Sequence, residues 1–259
     1  MIPVTQQAHE LLTARVRGPL AIDATAGNGH DTEFLARLVG PTGTVWAFDI
    51  QREALLRTAS RLRERRISVE VRWGFPRVAV PDVLPTSASD CSPQVVCVEA
   101  SHAEMPDHLP ASCRGQIAAI MFNLGYLPGA DKSCITTAVS TRAGLDAAVE
   151  WLAPGGVLTV VVYPGHPGGG AEAAAVREWF SQRACDGSCE LLGEVSVPLN
   201  PGPQLWALRR TGGTPARGTS GQSSGTSLVV RPLEDEVRCV RQNAVSPHSG
   251  ECSDHTSDP

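Results

Sequence analysis

Between residues 20 and 210, short apolar runs alternate with longer segments whose apolar positions recur every three or four residues. "PLAIDAT", "GTVWAFDI", "QVVCVEAS", "IAAIMFNLGY" and "VLTVVVYPG" are nearly continuous in apolar residues, and each closes on small, polar or glycine-containing residues. They predict strands buried on both faces. "DTEFLARLVG", "QREALLRTASRLRERR", "TTAVSTRAGLDAAVEWLAPGG" and "AEAAAVREWFSQ" carry the helical spacing, the third expected to stop at Pro154 and Gly155. Such alternation predicts an α/β fold: a mostly parallel sheet with helices on both faces. "CELLGEVSV" and "QLWALRR" lack a long helix between them, so they are expected to pair antiparallel at one edge, giving seven strands.

The pattern ends near residue 211. From "TGGTPARGTSGQSSGTS" to "GECSDHTSDP" the chain is rich in Gly, Ser, Thr and Pro and has almost no aromatic residues. It holds too little apolar surface to offset the entropy of ordering, so 211–259 is expected to be a disordered tail. "SLVVRPLEDEVRCV" within it is expected to form at most a short element. The folded domain is accordingly assigned to 1–210.

Bulk composition adds limits rather than identity. Hydrophobic residues make up 42% and charged residues 19%, as in a soluble globular protein. No apolar run approaches the roughly 20 residues of a membrane-spanning helix. The N-terminus shows no secretory pattern. The cytoplasm is therefore the expected location, with an organelle left open. The eight cysteines are scattered. Cys185 and Cys189 are the nearest to a ligand pair, but no second pair has matching spacing, so no metal site is expected. The net charge of −5 announces no nucleic-acid surface. The arginines at 52, 57, 61, 63, 65, 66 and 72 form a local basic stretch that reads first as a solvated face, and Lys132 is a better candidate for a backbone contact.

In such sheets ligands bind at the carboxyl ends of the strands. Five consecutive strand ends carry unusual residues: Asp23 with Gly27 and Gly29, Asp49, Ser101 with His102, Asn123 with Tyr126, and Tyr163 with His166. One site on one rim accounts for all of them. A P-loop would need a lysine after the glycines, and none follows. A dinucleotide fingerprint would need a third glycine where Thr32 stands. Asp23, ahead of the glycines, would be unwelcome beside a pyrophosphate but suits the sulfonium and amino groups of S-adenosylmethionine. "DATAGNG" fits the methyltransferase pattern of an acid followed by G-x-G-x-G, with Thr25 in place of the first glycine. Asp49 is placed to accept the ribose hydroxyls, although a helix N-cap would use the same residue type.

"DATAGNGHDT", "AFDIQ", "SHAEM", "FNLGYLPGADK" and "VVVYPGHPGG" resemble, in order, the family long labelled as rRNA methylases. Its characterised members are S-adenosylmethionine-dependent tRNA methyltransferases acting on the amine of 5-aminomethyl-2-thiouridine at the anticodon wobble position. The resemblance runs from about His9 to Arg209 and implies a Rossmann-like class I methyltransferase fold. It implies cofactor contacts from Asp23, Thr25, Gly27, Asn28, Gly29, Asp31, Thr32, Asp49, Gln51, Ser101, His102 and Asn123. The family usually has an Asn-Asn-Pro-Pro-like turn where this chain has "LNPGPQLW", which leaves the role of Asn200 unassigned. The stretch from Pro81 to Pro93 reads as a loop-like insertion.

"FNLGY" also speaks for itself. Enzymes that methylate exocyclic amines of nucleobases often carry Asn/Asp-Pro-Pro-Tyr after the fourth strand. Asn123 and Tyr126 have that spacing, with Leu-Gly between them. An acceptor-only oxygen turns an amine's lone pair toward the methyl donor, and the aromatic ring stacks on the base. An ordinary turn would also use these residue types. An alkyl amine must lose a proton before attack; Asp131 and His166 are the candidate bases, His166 having the better pKa, and water is a third acceptor. The expected activity is methylation of the wobble aminomethyl group, with the tRNA anticodon region as partner and a homodimer left open. The competing readings are methylation of another RNA or small amine, and a cofactor-binding RNA scaffold without turnover.

Overall fold

A computed structural model of the protein describes residues 2–74, 94–125, 136–165, 167–192 and 202–212, and the backbone of 228–233 and 236–241. The chain divides into two units, Met1–Pro215 and Ala216–Pro259. In the first unit the order is α1 (Val4–Arg15), β1 (Leu20–Asp23), α2 (His30–Val39), β2 (Thr44–Asp49), α3 (Arg52–Glu64), β3 (Ser68–Arg72) and β4 (Gln94–Glu99). Two short 3₁₀ segments, His102–Asp107 and Ala111–Cys113, lead to β5 (Ile117–Asn123), α4 (Ala138–Trp151), β6 (Leu152–Val162), α5 (Gly169–Cys185), β7 (Cys189–Leu191) and β8 (Gln204–Arg210).

These strands form one sheet in the order β3-β4-β2-β1-β5-β6-β8-β7. All neighbours are parallel except β6 with β8 and β8 with β7. The closing pair is antiparallel as expected, and β8 is the inverted strand, one place in from the edge. The sheet has one strand more than the apolar pattern indicates. β3, "SVEVR", alternates partly exposed with exposed residues on the outer edge. An edge strand needs no continuous apolar run, so the apolar pattern leaves it unassigned.

Side-chain alternation divides the interior into two cores. Leu20, Ile22, Trp46, Phe48, Leu158 and Val160 face α4 and α5, where they meet Leu145, Ala148, Trp151 and Trp179. Ala21, Val45, Ala47, Val157 and Val161 face the other way, toward Leu12 of α1, Leu35 of α2 and Leu55 and Leu62 of α3. Each such large side chain removed from water contributes about 1.5–3 kcal/mol.

One helix and one helix boundary differ from the sequence pattern. α1 has only Ala8 and Leu12 fully buried, too thin an apolar stripe to stand out. α4 ends at Trp151 instead of Pro154, and β6 begins at once with Leu152 paired to Ile117. Pro154 favours an extended residue before it, so the chain leaves the helix early. A register shift between Ile117 and Ala119 absorbs the offset.

In the second unit, β9 (Leu228–Leu233) and β10 (Glu236–Arg241) pair antiparallel, within the segment expected to form a short element. Among the described residues no helix is long and apolar enough to cross a membrane.

Candidate active site

The turn after β1 is held from three sides. Ala24 N–H donates to the Met121 carbonyl and Ala26 N–H to that of Phe48, so both neighbouring strands fix its start. Asp23 secures it from within. Its Oδ1 accepts from Thr25 N–H at 3.1 Å, and its Oδ2 from the Thr32 hydroxyl at 2.6 Å. The side chain is fully buried, and burial pushes its carboxyl up to about 7; the charge of Asp31 pushes the same way, while the two hydrogen bonds oppose it. Through these bonds Asp23 ties the turn to α2. Thr32 shares that internal role. Gly29 is likewise architectural: at φ 76° it is left-handed, and a Cβ there would sit 2.9 Å from Thr58 Cα on α3.

A cavity of about 580 Å³ opens at the carboxyl ends of β1, β2, β4, β5 and β6. Of the expected cofactor residues, Thr25, Gly27, Asn28, Asp31, Asp49, Gln51, Ser101, His102 and Asn123 line it, and Asp23, Gly29 and Thr32 do not. Phe48, Ile50, Leu124, Thr136, Ser140 and Tyr163 join the lining without having been assigned to the cofactor.

At one end, Asp49 Oδ2 accepts from Gly27 N–H at 2.9 Å and Oδ1 from Gln51 N–H at 2.8 Å. Burial raises this carboxyl and the two backbone donors oppose the rise. Each oxygen keeps a lone pair for an incoming hydroxyl. Ser101 lines the cavity, but its hydroxyl accepts from Ala103 N–H and its N–H donates to Glu104, a capping box for the following 3₁₀ turn. His102 is buried and its imidazole is lowered to about 4 by that burial, so it is neutral at pH 7. Among the described residues its Nε2 has no hydrogen-bond partner. Gly144 makes room for it: a Cβ there would lie 2.6 Å from His102 Cδ2.

At the other end, Asn123 N–H donates to the Thr25 hydroxyl at 2.7 Å, which explains a threonine where the methyltransferase pattern has glycine. Asn123 Nδ2 donates to Asp31 Oδ2 at 3.2 Å, and His9 Nε2 lies 2.6 Å from Asp31 Oδ1. The His9 ring stacks on Phe34, centroids 3.9 Å apart. His9 was not among the sequence candidates; its only signal was "AHELL" ahead of the glycine turn. Gly125 N–H donates to the Thr136 hydroxyl at 2.9 Å, and that hydroxyl donates to the buried Glu172 at 2.9 Å. Tyr163 lines this end, its phenol raised by burial and then by the Asp31 charge. Tyr126, Asp131, Lys132 and His166 lie outside the described residues, as do Asn200 and the 81–93 stretch.

The basic stretch on α3 is engaged within the protein. Arg61 Nε donates to the Asn28 carbonyl at 2.9 Å, Arg61 and Arg65 pair with Glu33, and Arg57 pairs with Glu53.

A sheet of this order, with a glycine turn after its first strand and an acid at the end of its second, defines a Rossmann-like protein built to hold a nucleoside-containing ligand. The chain belongs to the family described as "Putative rRNA methylase", whose model matches residues 45–186. It is 36% identical over 204 residues to the tRNA (mnm(5)s(2)U34)-methyltransferase, chloroplastic, of Arabidopsis thaliana, covering 76% of this chain and 66% of that protein. The chain thus spans just under two thirds of that relative's length. Among solved structures it is similar to an rRNA-methylase-like protein of Clostridium thermocellum, at TM-score 0.64 and 29% identity, over 81% of this chain and 98% of that one. A Streptococcus mutans protein solved in complex with SAH matches at TM-score 0.61 and 26% identity, over 81% and 99%.

Proposed function

We propose that the protein is an S-adenosylmethionine-dependent N-methyltransferase acting on the aminomethyl group of 5-aminomethyl-2-thiouridine at the tRNA wobble position. The observation that carries the reading is the orientation of Asn123. Its amide nitrogen donates to Asp31, which leaves its oxygen as an acceptor that no donor among the described residues occupies at the end of β5. The named activity of the Arabidopsis relative supports the same substrate.

The lining fits S-adenosylmethionine. It contains two aspartates, Asp31 and Asp49, and no lysine or arginine among the described residues, which suits a cationic ligand and not a pyrophosphate. Asp49 would hold the ribose, while Ile50 and neutral His102 would border the base. When bound, the cofactor supplies an electrophilic methyl group. Asn123 Oδ1 accepts an N–H of the amine and turns the nitrogen lone pair toward that methyl. Tyr126 is assigned to stacking on the uridine, and the proton lost by the ammonium goes to Asp131, His166 or water. The partner is the tRNA anticodon region. Cytoplasm and organelle both suit a tRNA substrate, and imaging of a tagged full-length protein distinguishes them.

The test supplies tRNA carrying 5-aminomethyl-2-thiouridine and labelled cofactor, then digests the product to nucleosides. Label is expected on the exocyclic amine. Label on a ring carbon, a ribose oxygen or an adenine amine refutes the acceptor assignment. Asn123→Ala should lower kcat about 10- to 100-fold, the equivalent of one lost acceptor, with cofactor Kd little changed.

A further inference from the structure

Among the described residues, Asp31 is the carboxylate of the cavity lining that contacts the acceptor residue Asn123. Its side chain is 9% exposed. Among the described residues Oδ1 is met by His9 and Oδ2 by Asn123 Nδ2, one partner on each oxygen. A carboxylate oxygen accepts two hydrogen bonds, so each retains a lone pair. The groups that face it are His9 from α1, Asn123 from β5, Tyr163 after β6, and Asp23 at the end of β1. His9 is the basic member of that set. It does not line the cavity and approaches Asp31 from α1. A buried negative charge beside the acceptor asparagine, with no Lys or Arg in the described lining, is matched to a cation that arrives with the substrate.

We propose that Asp31, held in place by His9, is the anionic anchor that selects a protonated alkylamine as the methyl acceptor. The inference rests on the proposed amine methylation and names the residue that recognises the amine. Asp31 and Asn123 Oδ1 form a pair of acceptors side by side, joined through Asn123 Nδ2. An alkylammonium can give one N–H to each. Once its third proton leaves to water, the two remaining N–H groups keep those partners, and the freed electron pair points along the third direction. His9 acts through Asp31 and is a positioning residue. Its ring stacks on Phe34 and its Nε2 meets Asp31 Oδ1.

The experiment measures binding of two anticodon stem-loop RNAs to the full-length protein, one carrying 5-aminomethyluridine and one carrying the N-acetylated, uncharged form. Wild type should prefer the charged RNA by about tenfold or more, the scale of one charge-assisted hydrogen bond. Asp31→Asn should lose that preference by a clearly larger factor than any change in its Kd for S-adenosylmethionine, a split that general damage to the fold would not produce. His9→Ala should weaken the preference, and His9→Gln, which restores a side-chain nitrogen donor, should recover it; this arm carries the test if Asp31→Asn fails to fold. A preference that survives Asp31→Asn overturns the anchor. So does a loss of cofactor affinity in proportion to activity, which would assign Asp31 to the amino group of the cofactor. If wild type neither binds nor methylates the aminomethyl RNA, the substrate reading beneath the proposal is overturned instead.

Discussion

Asp23→Asn should change how stability depends on pH. A free aspartate titrates at 3.8, and Asp23 in the folded protein at about 7, because the side chain is fully buried and Asp31 adds its charge nearby. Between those values the folded state holds a proton that the unfolded chain has already released. Stability therefore falls as pH rises across this window, by about 1.4 kcal/mol per unit at most. Over the span from 3.8 to about 7 the loss is on the order of 4 kcal/mol. Asparagine keeps the shape and does not titrate. Its oxygen can still accept from Thr25 N–H, and the Thr32 hydroxyl can rotate to accept from the new amide, at a cost of about 1 kcal/mol. The variant should be slightly less stable than wild type near pH 4 and more stable near pH 8, by up to about 3 kcal/mol. For a domain of this size that is a gain of about 5–10 °C in Tm. Circular dichroism melts of both proteins from pH 4.5 to 8.5 measure it. Parallel curves, or a gap that narrows with rising pH, would refute the assignment of a proton to buried Asp23.

Asp49→Ala should weaken S-adenosylmethionine binding about 10- to 100-fold in calorimetric titration, since it removes charge-assisted bonds to ribose worth about 1.5–3 kcal/mol. Unchanged affinity would remove Asp49 from the site. Gly29→Ala should destabilise by about 1–3 kcal/mol, because the left-handed backbone and the 2.9 Å approach to Thr58 Cα both oppose a methyl group. A melt within 1 °C of wild type, on the order of error, would contradict it. Ending the chain after Gly212 retains β8 and the Thr211 bonds to Gly187 and Ser188. It should leave Tm within about 2 °C and methyl transfer within about twofold. A fall of many degrees would show that the tail packs on the domain.

The sequence by itself determined the α/β class, seven of the eight sheet strands and the rim on which the site lies. Those features are set by local rules: apolar runs bury on both faces, helical spacing makes a one-sided stripe, and glycines mark the turns. β3 and α1 escaped because their stabilisation comes from neighbours. An edge strand of mixed polarity and a helix with two buried residues carry little periodic signal of their own. The cavity residues were largely legible from the motifs at the strand ends, but their division of labour was not. Asp23, Asp31 and Asp49 are the same residue type in similar settings, yet one is an internal brace, one meets Asn123 and His9, and one faces Gly27 and Gln51. Their separation depends on contacts between residues far apart in the chain: His9 lies 22 positions from Asp31, and Asn123 lies 92. Sequence spacing constrains which side chains reach the same rim. Which lone pair meets which donor is decided only when the sheet and its helices pack, because hydrogen bonds are directional and burial leaves no water to substitute for a missing partner.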